Sequence, residues 1–110
     1  MREELRRLQG EELHTLAQNK RFEILDVNLN NVIIKVFTHG QERVIPMRDI
    51  EEAWRILTTT GTITANQILN DIGNWSSAFI AAMFTHLPGV TYETGPIRLY
   101  YRSHKIGRAH

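Results

Sequence analysis

The stretch from Gly61 to Val90, GTITANQILNDIGNWSSAFIAAMFTHLPGV, decides how the second half of this chain is interpreted. Thr64 is expected to cap a short helix over Ala65–Leu69, because a threonine side chain accepts hydrogen bonds from the first-turn backbone. A tight turn follows, and Asn74 is expected to cap a longer helix over Trp75–Leu87. The pattern therefore predicts a short helix, a turn and a longer helix in direct succession.

The longer predicted helix is apolar around almost its whole circumference. One broad stripe contains Trp75, Phe79, Met83 and Leu87, and further apolar residues widen it. Helices of this kind are usually buried. The helix also contains no lysine or arginine, so it lacks the side chains that most often contact guanine bases and phosphates.

The residues on either side extend this pattern. Upstream, the spacing of apolar residues predicts a helix over Ile50–Leu57, with Asp49 as its N-cap. Downstream, two strands are predicted over Val90–Glu93 and Ile97–Tyr101, and the intervening Thr-Gly-Pro sequence favours a hairpin turn.

The first half of the chain has a different pattern. Leucines at mostly helical spacing predict helical structure within Glu3–Asn19, either one helix with a weak point at Gly10 or two short pieces. Three runs of β-branched and aromatic residues follow, separated by Asn-rich and Gly-containing turns. They predict a three-stranded antiparallel meander over Phe22–Val27, Val32–Phe37 and Glu42–Ile45.

The length is that of one domain, and the predicted elements make it α+β, with a helix and meander in residues 1–49 and a winged-helix-like half in residues 50–110. The chain has 110 residues, no cysteine and a formal net charge of +1. No apolar run approaches the ~20 residues that span a bilayer, and the charged start does not match a signal peptide. We therefore expect a cytoplasmic protein with no membrane partner.

The order of the predicted elements in residues 50–101, three helices and then a hairpin, resembles that of winged helix-turn-helix domains. The resemblance lies in element order and turn placement, and it carries no diagnostic residue signature. It implies a three-helix core, with the last helix presented to a DNA major groove and the hairpin, or wing, touching the adjacent backbone.

The residues after Pro96 contain no acid, and their cations predict a nucleic-acid-binding surface. The candidate contacts on this basic stripe are Arg98, Arg102, Lys105 and Arg108. Weaker candidates stand at the start of the longer helix: Asn74, Ser76 and Ser77. We expect weakly specific binding to double-stranded DNA, because phosphate contacts carry little sequence information.

The same residues support an alternative, a protein-interaction module. The longer helix has more apolar surface than one stripe can bury, and surplus apolar area marks an interface with a second copy or a larger protein. The competing interpretation is that the N-terminal helix and sheet bury its second face. The predicted core contains residues of both halves: Leu13, Leu16, Phe22, Ile24, Val32, Ile34, Val36, Trp54, Leu57, Ile68, Leu69, Phe79, Met83 and Leu87.

No catalytic constellation stands out in the sequence. The five histidines lack metal-ligand spacing, the glycines are scattered, and adjacent glutamate pairs do not face one site on a helix. We therefore predict a non-catalytic protein with no metal and no cofactor.

Overall fold

The computed structural model describes residues 1–73 and 75–102. Within these ranges the chain forms an α+β domain with four helices and two antiparallel sheets. One sheet belongs to the first half of the chain and the other to the second half. One helix precedes the first sheet, one connects the two sheets, and the other two lie between the first and second strands of the second sheet.

The first helix, α1, is much shorter than predicted. It covers only Arg2–Arg7, and strand β1 covers Glu12–His14, inside the range Glu3–Asn19 that we expected to be helical. The reason lies at Gly10, whose φ of +85° is accessible to glycine but rarely to other residues. Its N–H bonds to the carbonyl of Ile24 at 2.8 Å, so the chain leaves the helix and joins the sheet.

The predicted meander is confirmed, and β1 adds a fourth strand at its edge. The strand order is β1-β2-β3-β4, with antiparallel pairing throughout. The three predicted strands are β2 at Arg21–Val27, β3 at Asn31–Val36 and β4 at Gln41–Pro46. The turn between β2 and β3 is held by the Asn28 side chain, whose oxygen accepts from the N–H groups of Asn30 and Asn31.

Helix α2 covers Met47–Thr60 and is longer than the predicted Ile50–Leu57. The N-cap is Pro46, so the prediction of Asp49 was wrong; Asp49 lies instead in the first turn, where its charge suits the helix dipole. The helix ends at Gly61, which adopts the left-handed conformation with φ +87°.

The second sheet brings together strands that are distant in sequence. Strand β5 (Thr62–Thr64) pairs with β7 (Arg98–Tyr101), which pairs in turn with β6 (Val90–Glu93), giving the order β5-β7-β6. Strands β6 and β7 are the predicted hairpin, whereas β5 was missed.

Helices α3 and α4 follow β5, at Ala65–Asp71 and Ser77–Phe84. The cap of α3 is as predicted: the Thr64 side chain accepts from the Gln67 N–H at 3.0 Å, and the Gln67 side chain accepts from the Thr64 N–H at 2.9 Å. This reciprocal pair is a capping box. Helix α4 is shorter at both ends than the predicted Trp75–Leu87.

The core joins the two halves through α4. Every residue from Phe79 to Phe84 is buried. The Phe79 ring contacts the Phe22 ring of β2 edge to face, with centroids 5.0 Å apart, and Phe84 makes a similar contact with Trp54 of α2 at 5.2 Å. The sheet of the first half therefore covers the face of α4 that the second half leaves open.

Most of the predicted core is buried. Leu16, Val36 and Trp54 are partly buried and pack against it. Leu69 is an error of prediction, because its side chain is 39% exposed. Helix α3 has only seven residues and directs Ile68 inward, and the next residue on a helix points about 100° away.

Candidate nucleic-acid interface

The candidate interface is the solvent face of β7. Side chains alternate along a strand, and here Leu99 is fully buried while Tyr101 contacts Trp54. Arg98 and Tyr100 therefore share the opposite, outward face. Arg102 is two residues beyond Tyr100, so the same alternation puts it on this side, just after the strand ends. From the rise per residue, the Cα atoms of Arg98 and Arg102 lie about 13 Å apart.

Threonines from both neighbouring strands flank this face. Tyr100 stands between Thr62 of β5 and Thr91 of β6, and Arg98 stands between Thr64 and Glu93. Hydroxyl groups donate hydrogen bonds to phosphate oxygens without adding charge. The face therefore offers cations, hydroxyls and one aromatic ring, with one carboxylate among them.

The Arg98 guanidinium is partly buried and bonds to Thr62. Its Nη1 donates to the Thr62 hydroxyl oxygen at 3.3 Å, and that hydroxyl donates in turn to the Leu99 carbonyl at 2.9 Å. Among residues 1–73 and 75–102, no carboxylate oxygen lies within 4.0 Å of Arg98, although Glu93 is its cross-strand neighbour. The charge of Arg98 thus remains open to an anionic ligand.

The Glu93 carboxylate instead accepts a hydrogen bond from Tyr100. The phenol oxygen lies 2.8 Å from Glu93 Oε2. This bond, followed by desolvation and by the nearby negative charge, raises the pKa of Tyr100, while Arg98 acts in the opposite direction. Tyr100 therefore stays protonated at neutral pH and holds the one carboxylate that the described residues place on this face.

Arg102 is exposed, and the backbone around it is tightly placed. Its N–H donates to the Gly89 carbonyl at 2.9 Å. A Cβ atom at Gly89 would lie 2.7 Å from the Arg102 carbonyl oxygen and 3.1 Å from the Tyr101 ring. Only glycine fits there without a shift, so the turn after α4 fixes the point at which Arg102 leaves the sheet.

The serines proposed at the start of the last helix are poorly placed for ligand contact. Ser76 is 1% exposed, and its hydroxyl has no hydrogen-bond partner among the described residues. Ser77, the first residue of α4, is only partly exposed. Three further predicted contacts, Asn74, Lys105 and Arg108, lie outside the described residues.

Sequence reasoning missed the contribution of β5. Thr62 and Thr64 flank Tyr100 and Arg98 only because β5 pairs with β7, more than thirty residues further along the chain. The sequence TIT, with its alternating β-branched residues, carries a faint strand signal. Glu93 was also missed as the partner of Tyr100, although both residues were placed on the hairpin.

Other kinds of site find little support in the described part of the chain. Residues 1–73 and 75–102 contain no group of three or more His, Asp or Glu side chains arranged to hold a metal ion. None of the helices in these ranges combines the length and apolar character needed to cross a membrane. Comparison with known proteins found no matching family model, curated protein or solved structure.

Proposed function

We propose that residues 50–101 form a winged-helix-like half and that the protein is a non-catalytic nucleic-acid-binding protein of the cytoplasm. The element order supports the first part: α2, α3 and α4 are followed by the β6–β7 hairpin. The binding surface is the outward face of β7, which corresponds to the wing.

One observation carries this proposal. Arg98 and Arg102 lie on the same outward face, and neither has a carboxylate within 4.0 Å among the described residues. Arg21 and Arg55 have a glutamate partner, whereas Arg6 and Arg7 of α1 have no ion pair among the described residues either, so it is the shared outward face that distinguishes Arg98 and Arg102. Lys105 and Arg108 follow Arg102 in sequence and extend the same basic stripe.

The burial of α4 limits the kind of binding. A groove-reading helix must expose the side chains that contact bases, and here Phe79–Phe84 are buried between the first sheet and α2. Binding through β7 consists of phosphate contacts and stacking on Tyr100, which is 38% exposed. The proposed activity is therefore weakly specific and strongly salt-dependent.

The test is a titration of labelled random duplex DNA, followed by fluorescence anisotropy at two salt concentrations. Four phosphate contacts give a log–log slope of about −3.6, which corresponds to roughly 150-fold weaker binding at 200 mM than at 50 mM salt. The double variant Arg98→Glu with Arg102→Glu removes two phosphate contacts. The slope should therefore become no steeper than about −1.8.

A matched control changes the same charge elsewhere. Arg7→Glu with Arg48→Glu alters two exposed arginines, on α1 and at the start of α2. This pair should weaken binding far less than the β7 pair. If both pairs weaken binding equally, net charge explains the effect and the β7 face is not the site. No binding at 50 mM salt rejects the proposal.

The second candidate function is a protein-interaction module, either a homodimer or an adaptor or inhibitor of a larger protein. The burial of α4 removes the apolar surface that first suggested it. A different observation favours it: Val44, Leu69 and Trp75 are 51%, 39% and 39% exposed and line one cleft. This cleft lies beside β4, which is an edge strand of the first sheet as far as the structure describes the chain.

A further inference from the structure

Strand β7 and the residue after it present a cation, an aromatic ring and a second cation in a row. Arg98, Tyr100 and Arg102 share the outward face of the second sheet. From the rise per residue, the Cα atom of Tyr100 lies about 7 Å from that of each arginine. A nucleic-acid strand that runs along β7 can therefore place phosphates on both arginines and one base over the ring between them.

The Tyr100 ring is accessible and already held in place. It is 38% exposed, and its neighbours on the adjacent strands are the small residues Thr62 and Thr91. The Tyr100 hydroxyl donates to Glu93 Oε2 at 2.8 Å, which fixes the far end of the ring. A side chain that is ordered before binding loses less conformational entropy when a base stacks on it.

Stacking on Tyr100 requires a base that is not paired in a duplex. In double-stranded DNA each base is covered by its neighbours in the stack, and exposing one costs the energy of unpairing and unstacking. In a single strand the bases can turn toward an aromatic side chain, and such stacking tolerates any sequence. The ring of Tyr100 therefore favours a single strand.

Phosphate contacts alone give this face limited affinity. Arg98 and Arg102 stand against one carboxylate, Glu93, so the described residues of the face carry a surplus of one positive charge. Lys105 and Arg108 follow along the chain. Duplex binding loses affinity faster with salt, with a log–log slope of about −0.9 per contact against about −0.7 for a single strand. Because base stacking does not depend on charge, the preference for a single strand should grow with salt.

We propose that the outward face of β7 binds single-stranded nucleic acid in preference to duplex, with one base stacked on Tyr100 between phosphates held by Arg98 and Arg102. This inference rests on the proposed function and names the class of nucleic acid. Tyr100 is the one aromatic residue that the described residues place on this face, because Tyr92 of β6 pairs with Leu99 and lies on the opposite side of the sheet. The site therefore takes one stacked base and reads little sequence.

Anisotropy titrations compare a labelled oligothymidylate, an abasic oligonucleotide and a random duplex, all of the same length. With four phosphate contacts, raising the salt from 50 to 200 mM should weaken duplex binding roughly 150-fold and single-strand binding roughly 50-fold. At 200 mM salt we expect the oligothymidylate to bind about tenfold tighter than either the duplex or the abasic strand. An oligouridylate of that length tells RNA from DNA, and tighter binding of either strand than of the duplex supports the inference.

The outcomes separate this inference from the function on which it rests. If the duplex or the abasic strand binds as tightly as the oligothymidylate and the oligouridylate at 200 mM salt, the preference for a single strand is wrong while nucleic-acid binding by β7 stands. If no nucleic acid binds at 50 mM salt, both are wrong.

Three variants test the role of the ring. Tyr100→Leu and Tyr100→Phe both lose the bond to Glu93, but only Tyr100→Phe keeps an aromatic face. Tyr100→Leu should bind the oligothymidylate about tenfold more weakly than Tyr100→Phe, with equal duplex affinity. Tyr92→Leu removes an exposed ring from the other side of the same sheet and should bind like the wild type. Equal single-strand affinity of the two Tyr100 variants, or an equal loss in Tyr92→Leu, overturns the inference.

Discussion

The contact between Phe22 and Phe79 should couple the two halves of the chain in stability. Each ring is at least nine-tenths buried, and the edge-to-face contact joins β2 to α4. Replacing either phenylalanine by alanine would remove about 3–5 kcal/mol, a large part of the ~5–15 kcal/mol that stabilises a domain. Leucine is the better probe, because it keeps the site apolar and leaves the protein folded.

We expect Phe22→Leu and Phe79→Leu each to lower the free energy of unfolding by about 1–3 kcal/mol. The double variant should lose less than the sum, because the aromatic contact contributes about 0.5–1.5 kcal/mol beyond burial. If the free energy of unfolding falls by about 2 kcal/mol per molar urea, each single variant lowers the urea concentration at the unfolding midpoint by roughly 0.5–1.5 M.

The assay is urea unfolding followed by circular dichroism and tryptophan fluorescence. Leu29→Ala is the control, since Leu29 is 69% exposed and its replacement should change stability by less than about 0.5 kcal/mol. Additive losses within ~0.3 kcal/mol would show that the rings do not interact. Two separate transitions would refute the single-domain interpretation.

Three further predictions concern single residues. Glu93→Gln should lower the pKa of Tyr100 toward its ordinary value, measured by the phenolate absorbance, because the pKa is now raised mainly by the hydrogen bond to Glu93. Because its pKa is raised on folding, protonated Tyr100 stabilises the fold at neutral pH, and this stabilisation is lost as the pH rises through the folded-state pKa. An alkaline titration of the Glu93→Gln variant that matches the wild-type titration would contradict the prediction. Thr64→Ala should cost about 1 kcal/mol in chemical unfolding by removing the capping box, and a loss below ~0.3 kcal/mol would count against the cap. Gly61→Ala should cost about 1–2 kcal/mol by the same assay, because its φ of +87° strains an alanine even though the space is open; unchanged stability would mean that the helix end rearranges.

Local signals predicted local structure well. The cap at Thr64 depends on neighbouring residues only, and it is present as expected. The meander was recognisable from its strand-forming runs and turns, and the all-round apolar character of α4 indicated its burial. For the cap and the meander, the sequence segment that shows the signal also contains most of the interaction, whereas the partners that bury α4 lie far away in sequence.

Features that depend on distant residues were harder to predict. The leucines before Gly10 and those after it fit one helical period, but the bond from Gly10 to Ile24 of the sheet breaks that helix. Leu69 is apolar and suited to a core, yet the short α3 turns it toward a surface cleft. At the candidate site, the arginines were visible in the sequence, whereas pairing with β5 brought Thr62 beside them.

The most direct test of the nucleic-acid proposal is a map of amide chemical shifts during titration with random duplex DNA at low salt. The proposal predicts shifts concentrated on β7 and its neighbours, at Thr62, Thr91 and Arg98–Arg102, with α4 unaffected. Shifts confined to the β4 edge or to α4, or none at all, would contradict binding through the β7 face.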